Sequence, residues 1–560
     1  MTQPRPTPPA WRFAVLAAAW VMACAGVLAA LQMWRLGGVI WVDVAKAAIV
    51  AAALAALAYE RMRTRAGRPV PPRWSRRAGV ALGAAAVAAY FSGAAYGWQG
   101  GVHLWDQYHY FMGSRYFGEL GYDGLYRCAT VALDDLGTVE IGGARVDLRA
   151  EARAPGRMIR NLGVDNTLVP AAAALADPQG CRGRFTPRRW AAFQADVRFF
   201  RAALGAGTFD RAQRDHGYNP PPAWTLEAAG LVRLYPASLG YLQLLAMLDV
   251  ALLMGVFASL WWGFGWRTAA LAAVFWGCQG FSSFFWTGGA FLRQDWLFLV
   301  TLSVACARRR RFGAAGAAWA AASLLRVFPV LLAIGWMVQA AVSLARRRRL
   351  SRVHPRIALG ALAATAVILP ASALVAGADA WPAFARHIRL HDETALTNHA
   401  GLRPLLATGI GRGPESGRAL YLADEAAPDP YASWKRVRAE REAATRPVFW
   451  GLLAIAAVGF VVAVRRVRQP WRAACLSQGW IVWGLRLTSY YWSFLLLAAP
   501  LARHRPRIEA ALLSLAGMSL AAWAAFLAFD DRSAVLSLLG VAFTAYLVVE
   551  TARRPRRRSP

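Results

Sequence analysis

Lysine is nearly absent from this chain: Lys46 and Lys435 are the only two among 560 residues. Neither ends a glycine-rich stretch of the kind that cradles nucleotide phosphates, which excludes an ATP-driven pump. Charge of any sign is scarce. Charged residues make up 17% of the chain and hydrophobic ones 57%, with a mean hydropathy of +0.32, whereas soluble proteins carry roughly a quarter charged residues. A soluble multidomain enzyme does not fit that balance. Acidic residues are few, 31 against 64 basic ones, leaving a net charge of +33. Most of the excess lies in short arginine-rich loops between apolar blocks rather than on a folded domain, so no nucleic-acid partner is expected. The blocks are about 20 residues long, enough to cross a bilayer, and the chain reads as an all-α polytopic membrane protein.

The asymmetry of charge sets the expected topology. A first apolar block at 13–33 lacks a convincing cleavage site and reads as a retained helix. A second ends at Tyr59, and the loop after it holds seven arginines between residues 61 and 77, which places it in the cytoplasm. A third helix at 79–96 leads to a long segment, 98–236. That segment and a second one, 378–446, carry 14 and 9 of the 31 acidic residues, and both belong outside. Helices follow at 237–262, 268–285, 290–307, 357–377, 448–464, 510–529 and 534–550.

Two stretches, 313–342 and 473–502, have arginine clusters at both ends. A single crossing would put one cluster on the wrong side, so each is expected to be a short hairpin. The turns fall at RVFP, where Pro329 gives the break a cause, and at RLTSYYW. The total is about 14 membrane segments. Five regions result: N-terminal helices 1–97, a first outer loop 98–236, central helices with the first hairpin 237–377, a second outer loop 378–446, and C-terminal helices 447–560 with the second hairpin and a basic cytoplasmic tail.

The outer loops carry the chemistry. WDQYHYFMGSRYF places Asp106 and His109 just past a membrane exit in an aromatic-rich stretch that reads as an interfacial helix. VEIGGARVDL signals a hairpin around Gly142 and Gly143, and Trp190, Phe193, Val197 and Phe200 recur at helical spacing. RDHGYNPPPAW ends the first loop, with three prolines able to stiffen the segment that carries Asp215 and His216. In or near the membrane, Asp249, Arg293, Asp295, Arg326 and Arg486 are costly unless paired or facing a polar cavity. Arg293 and Asp295, two residues apart, are expected to neutralise each other. Arg326 and Arg486 sit at the hairpin turns, where guanidinium groups suit a phosphate at headgroup level. The second outer loop adds His387, Arg389, His391 and His399, a polar site rather than a metal centre, since the spacing matches no strong ligand signature. Of six cysteines, Cys24, Cys278, Cys306 and Cys475 lie in apolar blocks. Cys128 and Cys181 share the first outer loop, and an oxidising exterior predicts a disulfide between them.

WDQYHYFMGSRYF, GYNPPPAW, GGAFLRQDW, LLRVFP and LTSYYWSFLLLAAP together resemble the GT-C superfamily of membrane glycosyltransferases, which use polyprenyl-phosphate sugars. The branch similar to bacterial polyprenyl-phosphate-mannose-dependent mannosyltransferases is the nearest in flavour. The resemblance spans roughly residues 98–500 and implies a GT-C-like fold and an inverting transfer. The sugar would pass from a polyprenyl-phosphate donor to a glycan, lipid or protein acceptor on the outer face of a bacterial cytoplasmic membrane. It implies Asp106 as catalytic base. His109, Asp215, His216, Arg293, Arg326, His387, Arg389, His391, Arg486 and Tyr490 are then the candidates for substrate contact. No cofactor is firmly implied, and a divalent cation stays open. Arg326 stands where lysine is common in relatives, and two extra N-terminal helices place Asp106 after the third helix. The alternatives are a lipid-linked oligosaccharide ligase or polymerase, in which the second loop would dominate, and a glycan flippase or transporter.

Overall fold

A computed structural model describes residues 41–91, 101–408, 429–503, 505–526 and 529–553. The expected first helix at 13–33, Cys24 and most of the basic tail lie outside the described residues. The described chain is about 76% helical with almost no sheet, as an all-α polytopic membrane protein requires. Seven helices among the described residues are long and apolar enough to span a membrane: Trp41–Arg65, Leu239–Phe264, Phe328–Arg347, Val353–Ala376, Ala432–Val464, Pro506–Ala525 and Asp530–Ala552. Of the other expected segments among the described residues, Trp266–Cys278, Asp295–Arg308 and Phe312–Leu325 are helical but hold only 13, 14 and 14 residues. At 1.5 Å per residue they reach about 20 Å.

Both hairpins take shape in the geometry. Helices Phe312–Leu325 and Val353–Ala376 pack side by side with their N-terminal ends together, Gly316 against Ile357 and Gly360 against Gly313. Two helices that start at the same end require the segment between them to run back. Trp319 confirms the reversal: its indole N–H donates to the Pro329 carbonyl at 2.9 Å, and its ring lies 5.8 Å from Trp336. In the second hairpin Pro470–Leu476 and Gln478–Gly484 run one way, and a 3-10 helix Ser489–Leu497 with Ala498–Ala502 runs back. Its tip, Leu487–Thr488, pairs antiparallel with His399–Ala400 of the second outer loop.

Several boundaries differ from the sequence reading. Six of the seven arginines expected in one cytoplasmic loop sit on helices Trp41–Arg65 and Pro72–Phe91, because a proline is tolerated in a helix's first turn and lets the second helix start early. The helix expected at 448–464 begins earlier, within the second outer loop. Helix Ala432–Val464 continues through Pro447 for 33 residues, about 50 Å, and so extends well past a ~30 Å hydrocarbon core. Helix Leu104–Arg115, expected to lie on an interface with a solvated face, is instead enclosed nearly all round, from Leu104 and Asp106 to Ser114 and Arg115. Its aromatic residues pack into an outer-domain core with Tyr126, Phe193, Phe200, Phe209, Tyr218 and Trp224, separate from the core of the membrane helices.

Other expectations hold. Thr138–Ile141 pairs with Ala144–Asp147 through a two-residue turn in which Gly142 and Gly143 have φ of 60° and 81°, left-handed values that favour glycine. Helix Pro187–Leu204 buries Phe193, Val197 and Phe200. Cys128 and Cys181 are bonded, with Cα atoms 5.3 Å apart.

Candidate active site

The two hairpin tips, the outer domain and the GGAFLRQDW loop converge around helix Leu104–Arg115. His103 caps that helix by accepting the Asp106 amide N–H at Nδ1, 3.1 Å. The residue before it is pinned from the membrane side. Gly289 has φ 74°, and a side chain there would overlap the Gly101 carbonyl and come within 2.7 Å of the His103 nitrogen. The His103 amide donates to the Gly289 carbonyl at 2.9 Å, and the Gln107 side chain donates to the same carbonyl at 3.2 Å. The start of the helix is thereby fixed to the loop that carries Arg293.

Asp249 fixes that loop in turn. Its Oδ1 accepts the amide N–H groups of Arg293 at 2.7 Å and Gln294 at 3.0 Å, just ahead of helix Asp295–Arg308. A carboxylate is favourable at a helix N-terminus, where amide donors have no partner within the helix. An intramembrane aspartate that sequence alone could only flag as costly thus acquires a positioning role. Arg293 does not neutralise Asp295, as its spacing suggested. Its Nη2 lies 3.1 Å from Asp106 Oδ1, with both side chains buried. Two residues apart on the chain, Arg293 and Asp295 diverge because Arg293 belongs to the loop and Asp295 to the first helical turn. Asp295 Oδ1 instead accepts the Trp296 amide. The Arg293 guanidinium also donates to the Tyr110 hydroxyl at 3.1 Å and stands 4.7 Å from the Tyr490 ring centre.

The Asp106–Arg293 pair lies on the wall of a cavity of about 530 Å³. Of the residues singled out above, Asp106, His109, Asp215, His216, Arg293, His391 and Tyr490 line it. Trp105 joins two of the carboxylates of the cavity: it precedes Asp106, and its indole N–H donates to Asp215 Oδ2 at 2.7 Å. His109 is occupied by structure. Its Nδ1 meets the Trp105 carbonyl and its Nε2 the Tyr126 hydroxyl, both at 2.8 Å, so it positions the helix instead of offering a free base. His216 and His391, one from each outer loop, face each other edge to face at 5.4 Å. Burial pushes both imidazoles below their usual range, reinforced at His216 by Arg160 and opposed at His391 by the carboxylates of Asp215 and Asp392, so they are neutral hydrogen-bonding groups at neutral pH. Arg160 and Lys435 complete the wall, and neither stood out in the sequence, because nothing in the spacing of MIRN or WKRV connects them with Asp106.

Four of the candidates for substrate contact lie off the cavity. Arg326 is buried behind Tyr110, its guanidinium 5.9 Å from that ring and 5.6 Å from the Trp224 ring, and its Nε and Nη2 have no hydrogen-bond partner. Arg486 is held by Glu442 at 3.0 Å and by the carbonyl and carboxylate of Asp392, so it ties the second outer loop to the second hairpin. The His387 Nε2 meets Asn219 Oδ1 at 2.6 Å, with its ring stacked on Tyr122 at 4.9 Å. Arg389 is exposed. Among the described residues no group of three His, Cys, Asp or Glu side chains stands close enough to hold a metal ion. No family model, curated protein or solved structure matches the chain.

Proposed function

We propose that the protein is an inverting glycosyltransferase of GT-C type, moving a sugar from a polyprenyl-phosphate donor to a glycan, lipid or protein hydroxyl. In this reading the cavity opens on the outer face of a bacterial cytoplasmic membrane. The observation that carries it is the buried Asp106–Arg293 pair, 3.1 Å apart at the head of apolar helices and framed by Tyr110 and Tyr490. A carboxylate and a guanidinium side by side are the two groups that displacement of a phosphate by a hydroxyl requires.

A carboxylate paired with arginine is a poor base, because the cation favours its ionised form. Donor binding resolves this. The donor phosphate draws the Arg293 guanidinium to itself, and Asp106 is released to accept the proton of the acceptor hydroxyl. That oxygen bonds to the anomeric carbon as the bond from the carbon to the phosphate oxygen breaks on the opposite face. The phosphate leaves with the electron pair, stabilised by Arg293. One displacement inverts the anomeric centre. Arg326, buried with its Nε and Nη2 unpartnered, adds positive potential behind Tyr110.

The test is radiolabel transfer from a panel of polyprenyl-phosphate sugars by membranes with and without the protein, with Asp106→Asn and Asp215→Asn measured in parallel. Asp106→Asn lowers turnover by roughly 10²-fold or more with little change in donor binding. Normal turnover in Asp106→Asn with collapse in Asp215→Asn would move the base to Asp215. Absence of transfer from every donor would overturn the reading.

A further inference from the structure

At the end of the bundle opposite the cavity, four arginines from distant parts of the chain come together. Arg308 ends helix Asp295–Arg308, whose other end adjoins Arg293. Arg472 is in the first turn of Pro470–Leu476, at the foot of the second hairpin, and Arg503 and Arg505 follow the foot of its returning arm, Ala498–Ala502. The short helix Pro470–Leu476 packs against both Asp295–Arg308 and Ala498–Ala502, which brings the three ends to one place. Arg472 lies within electrostatic reach of Arg505, Arg308 and Arg503, and Arg308 within reach of Arg503.

All four are half-buried, and among the described residues none has a carboxylate within ion-pair distance. The nearby Glu550 is taken by Arg507 at 3.9 Å and Arg553 at 3.2 Å, and Glu509 by Arg267 at 3.0 Å. Arg505 reaches only a backbone carbonyl, that of Glu550, at 2.8 Å. The Nε of Arg308 is buried with no partner at all. Partly desolvated like charges repel unless an anion lies between them. Arginines that merely set topology need no such grouping: Arg309, Arg310 and Arg311 beside the cluster are exposed.

We propose that Arg308, Arg472, Arg503 and Arg505 bind the phosphate of an anionic phospholipid headgroup. The planar forks of several guanidiniums suit phosphate oxygens, and basic pockets between the cytoplasmic ends of membrane helices are suited to anionic headgroups. The surroundings favour a lipid over a free anion. Trp262 sits beneath Arg309 and Arg311 at 5.5 and 5.2 Å, and its neighbour Trp261 is 61% exposed. Tryptophan beside arginine at a helix end is the composition of a membrane interface.

The test is the thermal unfolding midpoint of the full chain in neutral detergent, titrated with phosphatidylglycerol, with phosphatidylcholine of the same acyl chains, or with inorganic phosphate. Phosphatidylglycerol raises the midpoint, while the other two leave it unchanged. Arg308→Gln, Arg472→Gln and Arg503→Gln are measured separately, so that a variant that does not fold leaves others that answer. Each raises the phosphatidylglycerol concentration needed for half the effect by about tenfold, while the exposed Arg310→Gln responds as the wild type does. An equal response to phosphatidylcholine would overturn the proposal. So would a response to phosphatidylglycerol that all the cluster variants retain. A response to inorganic phosphate as large as that to the lipid would assign the site to a free anion and overturn the headgroup.

Discussion

Arginine behaves differently at the two ends of this protein. Around the cavity and in the outer domain it is consumed by the fold. Arg115 meets Asp196 at 3.1 Å, Arg189 meets Glu119 at 2.6 Å, Arg438 meets Asp530 at 2.9 Å, and Glu442 is shared by Arg403 and Arg486. At the opposite end carboxylates are few, Glu509 and Glu60 held by Arg267 and Glu550 by Arg507 and Arg553, and many arginines stand without one, in exposed runs and in the half-buried cluster at Arg472. The acidic residues, concentrated in two segments, account for the contrast. Arginine is structural where carboxylates are available, and where they are missing it serves topology and solvation and can bind an anion from outside the chain.

The contrast is broken most severely by opening a buried outer pair. Arg115→Met leaves Asp196 buried with only the Tyr116 hydroxyl and the Ala237 amide as partners, and destabilises by about 3 kcal/mol or more. Arg472→Gln in lipid-free detergent changes stability by less than about 1 kcal/mol, since no carboxylate is orphaned. Denaturant unfolding of the two variants side by side checks both, and equal losses would erase the distinction.

Removing the covalent link in the outer domain has an effect of similar size. Cys128→Ser with Cys181→Ser opens a loop of sequence separation 53, worth about 4 kcal/mol in the chain-entropy picture and less if native contacts persist. Wild type treated with reductant should approach the double variant in unfolding midpoint, whereas the cluster variants keep the difference between oxidised and reduced protein.

Asp249→Ala removes the acceptor for the Arg293 and Gln294 amides. It costs about 1–3 kcal/mol and lowers transfer activity through misplacement of Arg293, while Asp249→Asn, which keeps one carbonyl acceptor, loses less. Full activity in Asp249→Ala would show that the loop holds its shape without the carboxylate.

The pH dependence comes from buried imidazoles in the outer half. Burial lowers His387 to about 3 and His103 to about 4, from an ordinary value of 6.5. The unfolded chain therefore takes up protons that the folded chain refuses, so stability is complete above pH ~6.5 and falls as pH drops towards these folded values. His387→Gln should flatten the slope between pH 6.5 and 4. An unchanged slope in that variant would place the effect elsewhere.

Much of this was readable before any fold was known. The conflict of arginine clusters pointed to both chain reversals, and two cysteines in one long acidic segment announced their bond. Each rests on local composition or on a rule counted along the chain. The site was readable only in part. Asp106, Asp215, His216, Arg293, His391 and Tyr490 carry chemistry in recognisable surroundings and do meet in one cavity. Arg326 and Arg486 are equivalent as turn arginines, yet one is buried with two of its three guanidinium nitrogens unpartnered and the other is neutralised by Glu442 and Asp392. Arg293 was assigned to Asp295 by proximity in sequence and belongs to Asp106, 187 positions away.

The sequence by itself determined that the chain is helical, membrane-borne and divided into acidic segments and arginine-rich ones, because hydropathy and charge act through sums over neighbouring residues. Only the tertiary structure decided which arginine meets which carboxylate, that Asp249 holds the Arg293 loop, and that Arg308, Arg472, Arg503 and Arg505 share one place. Ion pairs and hydrogen bonds act over a few ångströms in space, and that distance depends on how helices hundreds of residues apart pack against one another.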